Sequence, residues 1–327
     1  MPVPGTVKRE STVTGEQACY CRAMTSFLPT LKQLQYLAAL KDHAHFGKAA
    51  DACFVTQSTL SAGIRELESL LGVTLVERTR RIVRFTALGD RIVTKARRVL
   101  REAEELGDMV KAESEPLSGE LRMSVIPTIA PFLLPRILPR LREDWPKLKL
   151  FLREETSAAA CEALSAGRAD CVLLALPYAC GEFDSEDLFE DRLLMASSAA
   201  DAMTGPVAPS MIPPDRLLLL EDGHCLKDHA LAACSRPELR AGATMLGTSL
   251  HTLVQMVDNG LGVTILPQMA LDAGILSGTH VTTQTLDADH PVRTIALLWR
   301  KASPRADEFR MLAGILSQLG GSETAES

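Results

Sequence analysis

Two cysteines in the second half of the chain are the residues best placed to do covalent chemistry. Cys225 and Cys234 are nine residues apart, and the residues between them have the composition of a helix. A helix rises ~1.5 Å and turns ~100° per residue, so the two Cα atoms would lie roughly 13 Å apart on opposite faces. A disulfide needs Cα atoms about 4.4–6.8 Å apart. The spacing therefore predicts that the two thiols join only if the intervening helix unfolds, as in a switch.

The neighbours of Cys225 also favour reactivity. Gly223 permits a tight turn before the helix, and His224 and Lys227 lie beside the cysteine. A helix N-terminus and nearby positive charge favour the thiolate, which is the reactive form. Two other interpretations stay open from spacing alone: the two cysteines are small buried hydrophobes, or Cys225 and His229 bind zinc. The zinc site is disfavoured because no CxxC pair accompanies them. No metal or cofactor is predicted.

Length and composition indicate a globular chain of two or three domains. It has 327 residues and eight cysteines, which are too dilute for a disulfide-stabilised scaffold. Residues 1–27 lack hydrophobic periodicity and are predicted to be a disordered extension. No signal peptide or membrane-spanning segment is recognisable, which predicts a cytoplasmic protein without a membrane partner. In that compartment a disulfide is usually transient and redox-sensing.

Charge is distributed unevenly along the chain. The net charge is −6, but residues 28–101 hold 13 Lys and Arg against 6 Asp and Glu. That segment carries +7, so the remainder must carry −13. A basic segment joined to an acidic body is typical of a DNA-binding domain attached to a regulatory one.

The basic segment contains a helix suited to the major groove of DNA. Three helices are predicted between about residues 31 and 71, and apolar residues in the third recur at three- and four-residue intervals: Leu60, Ile64, Leu67 and Leu71. Its other face carries small polar residues and one arginine that can approach bases and phosphates: Gln57, Ser58, Thr59, Ser61 and Arg65. Residues 77–86 then alternate like a hairpin whose arginines would contact phosphates or a minor groove: Arg78, Arg80, Arg81 and Arg84.

This ordered pattern resembles the winged helix-turn-helix of LysR-type transcriptional regulators. The residues that carry the resemblance are Ala49-Ala50, Gln57-Ser58-Thr59-Leu60-Ser61, Ile64, Leu71-Gly72-Val73, Glu77-Arg78, Thr86 and Gly89. The resemblance implies double-stranded promoter DNA and RNA polymerase as partners. It also implies a homodimer formed through a long linker helix, and a homotetramer. The apolar stripe of helix 91–111 favours the same dimer, since no domain body lies beside it.

The rest of the chain alternates strand and helix signals, which predicts an α/β domain. Segment 171–176 is fully apolar, as in the middle of a parallel sheet. The resemblance implies two lobes like those of periplasmic binding proteins, lobe I being about 120–191 and 293–321 and lobe II about 192–292. Ligands of such folds bind in the cleft between the lobes.

The predicted organisation is therefore multidomain. The disordered extension, 1–27, precedes a winged helix-turn-helix DNA-binding domain, 28–87, and a linker (dimerisation) helix, 88–113. A hinge, 114–119, connects these to a two-lobed α/β regulatory domain that resembles periplasmic binding proteins, 120–321.

Within the family, the chain is similar to the members that sense hydrogen peroxide. The similarity is carried by Ile126-Pro127-Thr128, Leu133-Leu134-Pro135, Asp170-Cys171-Val172, residues 220–226, Asp228 and Thr248-Ser249-Leu250. It implies that hydrogen peroxide oxidises Cys225 and that Cys234 then forms a reversible intramolecular disulfide with it. It further implies that the protein activates genes of the antioxidant response.

The similarity also implies a peroxide pocket around the first cysteine. Its residues would be Thr128, Ser157, His224, Asp228 and Arg300. Ser157 stands where the family has a threonine and keeps the hydroxyl, and Arg300 takes the place of the family's arginine near the thiol. The other cysteines beyond the extension are interpreted as packing residues: Cys53, Cys161, Cys171 and Cys180.

Two other functions compete with a peroxide-sensing regulator. A LysR-type regulator that binds a small anion in the cleft would treat the cysteine pair as incidental. An enzyme such as a thiol peroxidase would use the reactive cysteine but does not need a DNA-binding domain. The chain is therefore predicted not to be an enzyme.

Overall fold

The computed structural model describes residues 28–78, 83–112, 116–202, 205–234, 246–288, 291–301 and 303–320. It divides into two compact units, one up to Glu102 and one from Ala103. The predicted disordered extension, 1–27, and residues 113–115 of the linker and hinge lie outside the described residues.

The first unit is a three-helix domain with a small hairpin. Its helices are α1 (Leu31–His43), α2 (Phe46–Ala52) and α3 (Gln57–Leu71), followed by the antiparallel strands β1 (Val76–Arg78) and β2 (Val83–Phe85). Helix α4 (Ala87–Ala112) leaves this unit and continues into the second. The core side chains of α1 and α3 are fully buried: Leu37, Leu40, Leu60, Ile64 and Leu67. The helix-turn-helix and the hairpin expected from the sequence are both present.

Local chemistry fixes both ends of α3. The Thr56 side chain caps the helix by accepting a hydrogen bond from the Thr59 backbone amide, which satisfies one of the free N–H groups of the first turn. Gly72 ends the helix with φ at 67°, in the left-handed region where a Cβ is disfavoured. The helix that carries the predicted base-contacting residues therefore begins and ends at positions readable from the sequence.

The second unit is built on a mixed sheet of seven strands. These are β3 (Gly119–Val125), β4 (Leu148–Glu154), β5 (Cys171–Leu176), β6 (Phe183–Ser198), β9 (Thr264–Pro267), β10 (Val281–Thr285) and β11 (Val292–Arg300). Their order is β10-β6-β11-β5-β3-β4, and β9 pairs with β6. Strand β3 runs parallel to β4 and β5, whereas β11 runs antiparallel to β5 and β6. The apolar strand β5 occupies the predicted residues in the middle of the sheet.

Strand β6 joins the two lobes, and the sequence pattern does not predict it. Its first part pairs with β11, and its second part pairs with β9 and β10. Three consecutive exposed residues, Ser185, Glu186 and Asp187, interrupt the alternation that a half-buried strand would show. The lobes are therefore two halves of one sheet, and the likeness to periplasmic binding proteins is an analogy of architecture.

Helices cover the sheet and connect its strands. They are α5 (Ala130–Asp144), α6 (Ser157–Ser165), α7 (Cys225–Ala233), α8 (Leu250–Asp258), α9 (Gln268–Asp272) and α10 (Ala306–Gly320). Strands β7 (Leu219–Leu220) and β8 (Leu246–Gly247) form a separate short parallel sheet. Short 3-10 helices occur at Ala199–Asp201, Pro209–Met211 and Pro214–Arg216. None of the described helices has the length and hydropathy needed to span a membrane.

Candidate functional site

The two candidate redox cysteines lie at opposite ends of one intact helix. Cys225 is the first residue of α7 and Cys234 is its C-cap, which confirms the predicted helix between them. Each residue is only 1% exposed, and neither forms a disulfide. Nine helical residues separate the Cα atoms by roughly 13 Å, about twice the largest separation a disulfide allows. The thiols therefore cannot join in this conformation.

The turn before α7 is held by the start of helix α6. The Ser157 hydroxyl accepts a hydrogen bond from the Cys225 backbone amide at 3.1 Å, and the Ala158 amide donates to the Gly223 carbonyl at 3.2 Å. Gly223 has φ at 93°, a conformation that favours glycine. The structure thus brings Ser157 into contact with the backbone of the candidate thiol residue.

Thr156 is a site residue that the sequence reasoning missed. The Thr156 hydroxyl oxygen lies 3.6 Å from the position that a Cβ atom on Gly223 would occupy. This hydroxyl therefore lies beside the turn that leads to Cys225. Thr156 is also the N-cap of α6, where its side chain accepts from the Ala159 amide. Its place immediately before a helix of small residues is the signal that could have found it.

Thr128 belongs to a buried network centred on Arg293. The Arg293 guanidinium donates to the Thr128 hydroxyl at 2.8 Å and to the Thr128 carbonyl at 3.0 Å. It also donates to the Asp191 carboxylate at 2.8 and 3.0 Å, and the other Asp191 oxygen accepts from the Met269 amide. Arg293 has no exposed area. Asp191 and Arg293 are cross-strand partners in β6 and β11, so the network ties Thr128 to the junction of the lobes.

Arg300, which we expected near the thiol, has a different set of contacts. Its guanidinium donates to the backbone carbonyls of Leu164 and Ala169, at 3.3 and 2.8 Å. Arg300 lies seven residues beyond Arg293 on β11, roughly 23 Å along the strand and on its other face. The buried arginine that contacts Thr128 is therefore Arg293, which sequence reasoning missed. Its signal was a charge two residues before the apolar run 295–299 of the same strand.

The two histidines of this segment are buried, and burial favours their neutral forms. Burial lowers the pKa of His224, although the nearby Glu221 carboxylate opposes the shift. Burial also lowers the pKa of His229, and its Nε2 lies 2.9 Å from the Pro177 carbonyl. His224 therefore cannot supply the positive charge expected beside Cys225. Because a carbonyl only accepts hydrogen bonds, the proton of neutral His229 resides on Nε2.

Two charged residues complete the first turn of α7. Lys227 is buried and donates to the Asp222 carboxylate at 2.7 Å, so its charge is already paired. Asp228 is half-buried, and its carboxylate partly opposes the lowering of the His229 pKa that burial causes.

The interpretation of Cys161 and Cys180 as packing residues is wrong. They form a disulfide with a Cα separation of 5.3 Å, within the range that disulfides adopt. Cysteines 19 residues apart on either side of a strand gave no signal in the sequence, because the pairing depends on tertiary structure. Cys171 is a buried core residue. Burial is the main cause that raises its pKa, and the neighbouring Asp170 carboxylate raises it further. Burial also raises the pKa of the half-buried Cys53.

The candidate DNA-contacting residues lie on the first unit. Gln57, Ser58, Thr59 and Arg65 are exposed on α3, Ser61 is half-buried there, and Arg84 is exposed on β2. Arg78 is the last residue of β1, whereas Arg80 and Arg81 lie outside the described residues. Phe54, three residues before α3, is 97% exposed and has φ at 55°. This exposed aromatic residue was not among the predicted contacts.

Helix α4 exposes part of its apolar stripe. Val99 is 48% exposed and Leu106 is 68% exposed, whereas Val93 and Ala96 are buried in the first unit.

In the parts of the chain that the structure describes, no three His, Cys, Asp or Glu side chains are grouped so as to hold a metal ion.

Comparison with known proteins identifies the family. Residues 114–319 match the LysR substrate binding domain, and residues 31–90 match the bacterial regulatory helix-turn-helix protein, lysR family. The chain is 42% identical over 294 residues to the HTH-type transcriptional regulator EstR of Acinetobacter baylyi, an alignment that covers 89% of this chain and 97% of EstR. It is 40% identical over 286 residues to a hydrogen peroxide-inducible genes activator of Dickeya chrysanthemi, covering 86% and 93% of the two chains.

A solved structure shares the fold along most of the chain. A full-length variant of OxyR from Pseudomonas aeruginosa matches with a TM-score of 0.73 and 31% identity, over 88% of this chain and 94% of that one. One family match lies in each structural unit. The chain therefore belongs to the LysR family of transcriptional regulators.

Proposed function

We propose that this regulator senses hydrogen peroxide through Cys225 and reports it by forming a Cys225–Cys234 disulfide. The observation that carries the proposal is the position of two buried, unlinked thiols at the two ends of one helix. Oxidation can join them only by unfolding α7, so one covalent bond is coupled to a change of conformation. The similarity to a peroxide-inducible genes activator supports this assignment.

Oxidation of the cysteine pair by hydrogen peroxide takes place in two steps. The Cys225 thiolate attacks one peroxide oxygen, the O–O bond breaks, and the departing hydroxide takes up a proton to leave as water. Cys225 becomes a sulfenic acid, which is the first oxidation product of a thiol. The Cys234 thiolate then attacks the Cys225 sulfur and displaces a second hydroxide, which also leaves as water. Two electrons pass from the two thiols to one peroxide, and cellular thiols reverse the reaction.

The predicted pocket residues carry the polar groups that the first step needs. The Thr128 hydroxyl accepts from Arg293, so its own proton is free to donate to a peroxide oxygen. Ser157 fixes the Cys225 backbone, and neutral His224 and half-buried Asp228 can pass protons to the departing hydroxide. Arg300 has no place in this pocket, because its guanidinium is held by the Leu164 and Ala169 carbonyls.

The proposed domain assignments connect this switch to DNA. Residues 28–87 bind double-stranded promoter DNA, and residues 88–113 form the dimerisation helix. Residues 114–119 form the hinge to the regulatory domain, which comprises residues 120–321. Exposed Val99 and Leu106 on α4 support a homodimer, since an uncovered apolar stripe on a long helix is best buried by a second copy. Refolding of α7 then changes the arrangement of subunits in the dimer or tetramer. RNA polymerase contact and control of antioxidant genes in the cytoplasm complete the proposal.

A second candidate is regulation by a small molecule bound between the lobes. The similarity to the HTH-type transcriptional regulator EstR and the match to a substrate binding domain favour it. In that case the cysteines would be replaceable without loss of response.

Promoter response in cells with single substitutions separates the two candidates. We expect Cys225→Ser to abolish the response to peroxide and Cys234→Ser to weaken it strongly, while Cys53→Ser leaves it unchanged. A peroxide response that persists in both Cys225→Ser and Cys234→Ser would sink the redox proposal and leave the small-molecule one.

A further inference from the structure

The Cys161–Cys180 disulfide connects the two elements that hold helix α7. Cys161 lies in the middle of α6, and Cys180 lies in the segment 177–182 between β5 and β6. From α6, the Ser157 hydroxyl accepts from the Cys225 amide. From segment 177–182, the Pro177 carbonyl accepts from His229 Nε2. Helix α6, the disulfide, this segment and α7 therefore form a closed ring of contacts, which we call the α7 clamp.

The disulfide is placed where small thiols can reach it. Cys161 is buried, but Cys180 is only half-buried at the surface of the second unit. Accessible disulfides in a thiol-rich compartment exchange with small thiols and are usually regulatory, whereas structural disulfides belong to secreted proteins. A regulator that acts on DNA works in such a compartment.

We propose that Cys161 and Cys180 are a second redox site, which exchanges with low-molecular-weight thiols and disulfides and sets the peroxide sensitivity of Cys225. The proposal rests on the proposed function for its effect on peroxide sensing. The site responds to the thiol–disulfide balance, whereas Cys225 responds to peroxide. The chain thus combines two redox inputs through α7.

Thiol–disulfide exchange at this site takes place in two steps. The Cys180 thiolate attacks one sulfur of a small disulfide such as oxidised glutathione, forming a mixed disulfide and releasing one small thiolate. The Cys161 thiolate then attacks the Cys180 sulfur, forms the intramolecular bond and releases the second small thiolate. Two protein thiols are oxidised as one small disulfide is reduced to two thiols. Reduction follows the same steps in reverse.

The direction of the coupling follows from the requirement that α7 unfold. The closed α7 clamp restrains segment 177–182 and α6, and so stabilises the helical form in which Cys225 and Cys234 are apart. Opening the disulfide loosens the clamp, which favours unfolding of α7 and formation of the 225–234 bond. By linkage, formation of that bond must equally favour reduction of Cys161–Cys180.

The first experiment tests the site without relying on peroxide sensing. Full-length Cys225→Ser protein, which keeps the backbone amide that Ser157 accepts from, is equilibrated across ratios of reduced to oxidised glutathione, alkylated and mapped by mass spectrometry. We expect the 161–180 pair to convert between dithiol and disulfide within the range of ratios found in living cells. A pair that stays linked, or stays reduced, throughout that range overturns the proposal.

Hydrogen exchange on the same samples tests the clamp. The amides of α7 should exchange more slowly in the disulfide form than in the dithiol form, by on the order of fivefold, the low end of coupling between sites. His229→Leu should remove this difference because it deletes the donor to Pro177, whereas His229→Gln retains an N–H donor and should keep part of it. Equal exchange in the two forms of Cys225→Ser contradicts a clamp.

A peroxide titration tests the effect on sensing. The peroxide concentration that links half of the Cys225 to Cys234 should be lower, by on the order of fivefold, in Cys161→Ser/Cys180→Ser than in wild-type protein carrying the 161–180 bond. The single variant Cys180→Ser should match the double variant, and Cys53→Ser should match wild type. An unchanged midpoint overturns the coupling. If no variant forms the 225–234 bond, the proposed function fails, while the first two experiments still decide whether the second redox site exists.

Discussion

At the scale of single residues, buried charge explains why Arg293 matters more than the predicted Arg300. Arg293 has no exposed area, and its positive charge is paired with the Asp191 carboxylate. The Thr128 hydroxyl is a further hydrogen-bond acceptor for its guanidinium. Removing one member of such a pair leaves the other as an uncompensated buried charge, which is far costlier than losing an exposed ion pair. The sequence reveals a charge in an apolar strand, but its partners come from segments 102 and 165 residues away.

We predict that Arg293→Met lowers the free energy of unfolding of the regulatory unit by about 3–5 kcal/mol, because Asp191 loses its counter-charge. Urea denaturation measures the change. In the double variant Arg293→Met/Asp191→Asn the loss should be smaller than the sum of the two single losses, since no unpaired charge remains. Arg300→Met is the matched control on the same strand, and a loss for Arg293→Met below that of Arg300→Met contradicts the assigned role.

The buried histidines predict how stability depends on pH. Burial lowers the pKa of His224 and His229 in the folded chain, so the unfolded chain binds protons that the native state rejects. Their contribution is fully present above the ordinary histidine pKa and is lost as pH falls below it. Unfolding free energy measured by denaturant between pH 7 and pH 5 should therefore fall. The double variant His224→Gln/His229→Gln should show a shallower fall, and an unchanged slope would refute this cause.

At the scale of elements, local patterns predicted helix α7 and the apolar strand β5 but not the long strand β6. Helix α7 has a turn glycine before it and strand β5 is apolar throughout, so both are encoded in adjacent residues. Strand β6 carries exposed acidic residues in its first part, and its strand conformation is stabilised by pairing with three distant strands. The Cys161–Cys180 pair depends equally on tertiary structure, which is why spacing alone favoured packing.

The hairpin of β1 and β2 gives a prediction about DNA. Arg84 is exposed on β2 opposite Glu77 on β1, and a phosphate contact by this arginine releases counterions. Arg84→Ala should weaken promoter binding and reduce the slope of log affinity against log salt by about 0.9. Fluorescence anisotropy at several salt concentrations measures both quantities. Arg140→Ala, in the second unit, is the control, and a salt slope unchanged by Arg84→Ala argues against a phosphate contact.

At the scale of the whole molecule, strands β11 and β6 connect the switch helix to both halves of the regulatory sheet. Helix α7 packs against β5 and β11, and β11 pairs with β6, which continues into the second lobe. Arg293 lies where these strands meet, and its positive charge adds to the lowering of the His229 pKa that burial causes. Under the proposed function, refolding of α7 would act first on this junction of the lobes.

The central claim is that a bond between Cys225 and Cys234 requires α7 to unfold. Hydrogen exchange of the amides 225–234 in full-length protein, before and after a brief peroxide pulse, tests it most directly, with Cys234→Ser as the control that oxidises without forming the bond. We predict that the oxidised wild type loses protection throughout α7 and carries the 225–234 link, while the control keeps its protection. A linked protein with unchanged protection of α7 would contradict the account.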